Sequence, residues 1–322
     1  MIKYHLVKGR KRWIMSILML QPVFKDAIWG GKLLKNFGYE EAGDNAGECW
    51  GISAHQNGDC TVANGEFAGK KLSWCYENHR ELFGNIKEDV FPLLIKIIGA
   101  EDDLSIQVHP NNEYAAEHEN GALGKTECWY ILDCKEDATI VIGHNAKDKA
   151  ELEDMIRNKK WNDLIRVIPI KKGDFFQINP GCLHAIKGGT LLIETQQSSD
   201  VTYRVYDYDR LQNGKPRELH VQQSIDCITA PHVDYNEEKV VEKHDGMTSE
   251  KLVTCPYYTL EKWDVDGEYE FKMDKPFLNV SVIDGKGEAD GIKVKKGDHF
   301  IVPATMDSCG FSGKMTVMVS YC

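Results

Sequence analysis

The chain has 322 residues, 42% hydrophobic and 28% charged, an ordinary make-up for a globular protein with room for two compact domains. Its formal net charge of −11 disfavours nucleic acid and anionic membranes as default partners, so an anionic ligand would need a local basic pocket. No stretch reaches transmembrane length, and ten single cysteines without a C-x-x-C pair suit small buried groups in a reducing cytoplasm rather than a zinc ribbon.

Residues 1–18 read as an N-terminal extension leading into a first strand. They place basic residues before a short apolar run, but Gln21, Pro22 and Val23 follow where a signal peptide would carry small residues for cleavage. From there on, short apolar or alternating runs are punctuated by Gly, Asp, Asn and Pro, the rhythm of a β-sandwich or barrel. Ser73 is the expected N-cap of a helix ending near Gly84. Strands are expected at 91–98, 104–109, 126–132, 139–142, 175–178, 190–196 and 201–207, and later at 257–265, 277–284 and 299–303. Pro110 suits a first helical turn, with Gly121 as the stop. In 147–166, Ala150, Leu152, Met155, Ile156, Leu164 and Ile165 fall roughly on one face, which predicts a covering helix.

One internal similarity stands out. KKGDFFQINPG (171–181) and KKGDHFIVPAT (295–305) both place a K-K-G-D turn before an apolar strand ending in Pro. This suggests two barrels of one design, a catalytic domain over 19–240 and a smaller β domain over 250–322. The charge-rich 236–249 reads as the linker between them.

Strand alternation then sorts the polar residues. Ser105, Gln107 and His109 share one face of LSIQVHP; Ile106 and Val108 share the other. Gln and His opposite an apolar face suit a barrel interior that binds something. Glu127 shares a face with Trp129 and Ile131, and a buried carboxylate needs a cation, a metal or a proton. His184 follows the Asn179–Pro180–Gly181 turn; Glu194 and Gln196 share a face, as do Asp200, Thr202, Arg204 and Tyr206. Two His and a Glu with a nearby Gln suit a divalent metal. Spacing alone leaves other readings open: a lone strand His is more often structural, and Glu127 could pair with Lys125 or Arg204.

The strings PVFKDAIWGGKLL, GECWGISAH, FPLLIKIIGA, LSIQVHP, GKTECWYIL, PGCLHAI and SSDVTYRVYDYDR resemble, in order, the short bacterial form of type I phosphomannose isomerase. The resemblance runs from about Leu20 to Ile228 and more loosely to the end. It implies an all-β-dominated cupin (RmlC-like jelly-roll) double barrel with a few covering helices. It implies one Zn2+ per chain at His109, Glu127 and His184, with Gln107 as a weaker fourth ligand. It also implies reversible aldose–ketose isomerisation of mannose 6-phosphate and fructose 6-phosphate through an enediol(ate), a cytoplasmic step of mannose metabolism. Arg204 and Lys125 match the family's active-site arginine and lysine. Glu194 and Asp200 match acidic pocket residues and are the two candidates for proton transfer.

Two departures from the longer relatives are visible. There is no room between Glu127 and His184 for their helical insertion, and Arg210 stands where their arginine motif ends in lysine. Lys125, Arg204 and Arg210 are the expected substrate cations. Arg217 reads as pairing with Glu218 across a turn, and Lys96 as either an interior charge or an edge residue. The 250–322 domain, with His299 but no Glu–His set, reads as structural. Two rival functions fit less well: a non-haem iron oxygenase on a His–His–carboxylate triad, and a non-catalytic sugar-binding cupin.

Overall fold

Residues 16–236 and 238–322 are described by a computed structural model. They form two compact units: Pro22–Gly58 with Pro92–Glu238, and the described residues up to Gln21 with Asp59–Phe91 and Lys239–Cys322. Residues 1–15 of the expected extension lie outside the described residues. Ile17 is fully buried and Leu18 opens a strand.

In the first unit, alternation builds two large antiparallel sheets beside a two-stranded hairpin, Leu211–Gln212 with Lys215–Pro216. The six-stranded sheet runs in the order Phe175–Ile178, Glu127–Cys134, Thr190–Gln197, Leu93–Ala100, Ala46–Ile52, Val23–Asp26. The five-stranded sheet runs Tyr203–Tyr206, Ile106–Val108, His184–Ile186, Thr139–His144, Ile165–Pro169. One apolar cluster joins Ile98, Trp129, Ile131 and Leu192 of the first sheet to Ile140, Ile142 and Ile186 of the second. This is the jelly-roll interior. The other face of the five-stranded sheet, with Ile106, Val108, Val141 and Val205, is covered by Leu152, Ile156, Leu164 and Ile225 from helices. Burying Leu152 or Ile156 contributes roughly 2 kcal/mol. A polar Gln107 between Ile106 and Val108 therefore faces inward.

The helix expected over 147–166 is shorter. Asp148 caps it, accepting from the Glu151 N–H at 2.8 Å, and it spans Lys149–Arg157. Lys159 adopts φ 54° and the Lys160 N–H bonds back to the Met155 carbonyl, a Schellman-type stop. A single turn, Trp161–Leu164, follows, and Ile165 already belongs to a strand. Ser73 is likewise not a cap. Lys71 precedes helix Leu72–Asn78, and Asp59 holds both the Ser73 N–H and its hydroxyl.

The second unit is a nine-stranded antiparallel sheet. Its long strands Thr259–Lys272, Phe277–Ala289 and Ser308–Tyr321 bury Trp263, Val280, Phe311, Val317 and, from the chain start, Ile17 in one core. The segment read as a linker is instead a hairpin, Val240–His244 with Met247–Thr254, turning at Asp245–Gly246. Every residue of Val240–His244 is exposed, so its charge reflects an edge strand wetted on both faces. The K-K-G-D similarity has a structural basis. The Lys171 and Lys295 N–H groups each donate to the Asp three residues on, at 2.8 Å, with Gly173 at φ 89° and Gly297 at φ 92°.

His299 is 1% exposed, bonded through Nδ1 to the Ser281 hydroxyl at 2.8 Å, and burial lowers its pKa to about 4. The unfolded chain binds this proton near pH 6.5 and the folded one only near 4. Its contribution is therefore full above 6.5 and lost as pH falls between those values, up to roughly 3 kcal/mol. H299Q should show a shallower loss of urea midpoint between pH 7 and 4 than the parent; parallel curves would refute this.

Candidate active site

Cross-strand register assembles the site. In the five-stranded sheet Arg204 pairs with Gln107, and Gln107 with His184, so these three side chains share one face. In the six-stranded sheet Glu127 pairs with Gln196, and Trp129 with Glu194, which itself pairs with Lys96. Both rows face the interior.

His109 and His184 are each at most 1% exposed. His109 Nδ1 donates to the Val201 carbonyl at 2.8 Å and His184 Nδ1 to that of Cys182 at 2.9 Å. Those bonds fix both tautomers and leave each Nε2 lone pair pointing inward. Each Nε2 lies 3.4 Å from a Glu127 carboxylate oxygen. Gln107 Nε2 donates to His184 Nε2 at 3.2 Å, and Lys125 Nζ to His109 Nε2 at 3.1 Å and to Glu127 Oε2.

Burial, with the charge of Lys125, keeps both imidazoles neutral: His109 is held well below its usual pKa and His184 lies at about 4. Burial and then the charge of Glu194 push Glu127 up to about 7, against the pull of Lys125. Glu127 Oε1 has no hydrogen-bond partner. Two neutral imidazoles and a carboxylate, their ligand atoms within 4.8 Å of one another, fit a divalent cation. This is the one such group of three or more among the described residues.

Behind the cluster lies a second charge network. Glu194 Oε2 accepts from Trp129 Nε1 at 3.0 Å, and Oε1 lies 3.3 Å from Lys96 and 4.0 Å from Lys125. Burial raises its pKa, but Lys125 and Lys96 outweigh that and hold it near 2. Lys96 is thus an interior charge. It bridges Glu194 and Glu48 (3.5 Å) and lies over the Trp50 ring at 5.2 Å. Burial opposes its ammonium form, and Glu48, Glu194 and Glu127 overcome that. Sequence reading assigned no role to Glu48 or Trp50, although the alternation in E-C-W puts both on the face of Lys96.

The remaining predicted residues sit outside this core. Arg204 is half-buried, and its Nε is buried without a hydrogen-bond partner. Asp200 is exposed and held to Asn57 Nδ2 at 2.6 Å, with His55 Nε2 at 3.7 Å. Arg210 is tied to Asp207 at 2.6 Å and to the Asp103 carbonyl. Arg217 does not turn back on Glu218; its guanidinium forks onto Asp207 at 2.7 and 2.5 Å, because a hairpin carries it there. A separate open groove of about 1260 Å³ in the second unit, between Asp284–Glu288 and Ser312–Thr316, is lined by acids and lysines but no His or Cys.

The jelly roll is that of a cupin, and its buried His–His–Glu set could hold a metal ion. Residues 17–130 match the family "Phosphomannose isomerase type I, catalytic domain", and 248–322 match "Mannose-6-phosphate isomerase, cupin domain". Mannose-6-phosphate isomerase ManA of Bacillus subtilis is 47% identical over 94% of this chain and 98% of its own. The mannose-6-phosphate isomerase of Streptococcus mutans is 46% identical over the same shares. The crystal structure of mannose 6-phosphate isomerase from Bacillus subtilis superposes with a TM-score of 0.93 at 49% identity, covering 96% of this chain and 100% of that one. The chain belongs to the type I phosphomannose isomerase family.

Lys96→Met would leave buried Glu194 and half-buried Glu48 without their shared cation. It should destabilise the protein by about 3 kcal/mol, read as the urea midpoint with an unchanged m-value. A midpoint at the parent's value would show that the network does not need the charge.

Proposed function

We propose that this chain is a zinc-dependent mannose-6-phosphate isomerase that interconverts mannose 6-phosphate and fructose 6-phosphate through an enediol(ate). The observation that carries this reading is the buried convergence of two neutral imidazoles on a carboxylate with an orphaned oxygen, flanked by fixed cations. Relatives covering nearly the whole chain carry that activity in their names. His109, His184 and Glu127 would hold the ion, with Gln107 beside His184. When bound, the ion would supply Lewis-acid polarisation of sugar oxygens.

The chain's own residues supply the rest. The reaction moves a proton between C1 and C2 of the open-chain sugar. Lys125 and Arg204 place positive charge where an oxyanion develops. Glu194, ionised and pinned by Trp129 and Lys96, is a weak proton acceptor, so its part is to hold Lys96 and Lys125 in place. That leaves Asp200, at the rim with Asn57 and His55, as the better candidate to move the proton. The proposed setting is the cytoplasm; all ten cysteines are free, and no helix among the described residues is long and apolar enough to cross a membrane.

A coupled assay should show turnover of mannose 6-phosphate that chelation abolishes and zinc restores. No turnover by metal-replete protein would overturn the reading. H184A should lose bound metal by elemental analysis. R204A should keep its metal while turnover drops by about 10²-fold or more.

A further inference from the structure

Arg204, on the sheet row of the site, lies near Arg217, which shares Asp207 with Arg210, and that carboxylate does not neutralise the three. The chain leaves the strand Tyr203–Tyr206 through Tyr208 (φ 56°) and Asp209 (φ 54°), two consecutive non-glycine residues in the left-handed region. Asp tolerates that conformation; Tyr adopts it against a steric cost. The turn closes with the Arg210 N–H on the Asp207 carbonyl at 3.1 Å. A second tight turn follows at Asn213 (φ 54°) and Gly214 (φ 79°), with Leu211 opposite Pro216. That register brings Arg217 back beside Arg210. Both guanidiniums meet on the Asp207 carboxylate, which is 4% exposed.

The same excursion ends on Arg204. The His220 N–H donates to the Arg204 carbonyl at 2.8 Å, and the Arg204 N–H to His220 Nδ1 at 3.1 Å. Arg204, Arg210 and Arg217 are thus gathered about Asp207, the one carboxylate among the described residues bonded to any of them. Glu218 adds a more distant negative charge. Asp103 touches Arg210 only through its carbonyl, its carboxylate being taken by Lys187 at 2.6 Å. The group keeps an excess of positive charge in an acidic protein, and the buried Nε of Arg204 lacks an acceptor. Arg204 stands two strands from His184 in the same sheet row, roughly 10 Å at the usual spacing. That span is of the order of an extended six-carbon chain with a terminal phosphate.

We infer that Arg217, held by Asp207 on this two-turn hairpin, is a phosphate-binding residue that works with Arg204. The inference rests on the isomerase reading for the identity of the substrate, not for the existence of the anion site. Asp207 takes the Nε–Nη2 edge of Arg217 and so acts as its positioning residue, and the Nη1–Nη2 edge is the planar fork that would meet a phosphate dianion.

The test uses full-length, metal-loaded protein. R217Q should raise KM for mannose 6-phosphate by about 10–100-fold while lowering kcat far less, and should weaken competitive inhibition by inorganic phosphate by a similar factor. R217K, which keeps the charge but loses the fork, should fall between R217Q and the parent; it also serves if R217Q fails to fold. D207N should raise KM in the same direction. Unchanged KM and phosphate inhibition in R217Q, or in R217K where R217Q is unfolded, would overturn the assignment while leaving the isomerase intact. If the parent shows no isomerase activity, calorimetric titration with inorganic phosphate still decides. Binding that weakens in R217Q supports the site; equal binding in both, or none in either, removes it.

Discussion

The interior charge balance between Glu127, Glu194 and half-buried Glu48 on one side and Lys96 and Lys125 on the other is the constraint on which the site depends. Buried Glu127 and Glu194 would each carry a desolvation cost on the order of several kcal/mol if unpaired, and half-buried Glu48 a smaller one. Lys96 lies between Glu48 and Glu194; Lys125 lies between Glu127 and Glu194. The formal sum is one negative charge. That residue of charge falls next to two imidazoles kept neutral by burial, where a divalent cation would be welcomed. Glu194 takes part on both sides, and so couples a structural lysine to the lysine that touches the candidate metal ligands.

The geometry follows from sheet register. Because side chains alternate and paired residues face the same way, placing Gln107 opposite both Arg204 and His184 fixes one wall of the site. Placing Glu194 opposite both Trp129 and Lys96 fixes the other. A slip of one residue in either pairing would send the candidate ligands into the apolar layer and Val108 or Ile193 into the site. The apolar partners in both sheets therefore protect the chemistry as well as the fold.

Much of this was legible in the sequence. Alternation put Gln107 with His109, and Glu127 with Trp129, on common faces. The matching K-K-G-D turns marked the same Asp-closed turn in both units. The family strings singled out Gln107, His109, Lys125, Glu127, His184 and Glu194, which the folded chain brings together, and also Asp200 and Arg210, which it sets outside that cluster. What escaped has physical reasons. Val240–His244 is an edge strand exposed on every residue, so it reads as linker. The long pattern at 147–166 is broken at Lys159 by a left-handed stop that apolar periodicity does not register. Residues 59–91 belong with the C-terminal unit, a long-range return for which composition has no signal. Arg217 finds Asp207 rather than its neighbour Glu218 because an Asn–Gly hairpin reverses the chain, and adjacency in sequence is a poor guide to pairing across a turn.

The Nδ1 partners of the two histidines have a consequence of their own. Both are backbone carbonyls, Val201 and Cys182, not side chains. Imidazole orientation is therefore written into the path of two loops rather than into the identity of any supporting residue. Substitution at 201 or 182 that preserves the backbone leaves the histidine aim intact, whereas an insertion or deletion in either loop would turn away the ring that loop holds without touching a candidate ligand. The site should tolerate drift in the chemistry around it and resist changes in loop length. A lineage could re-tune the rim while inheriting the aim of the two imidazoles unchanged.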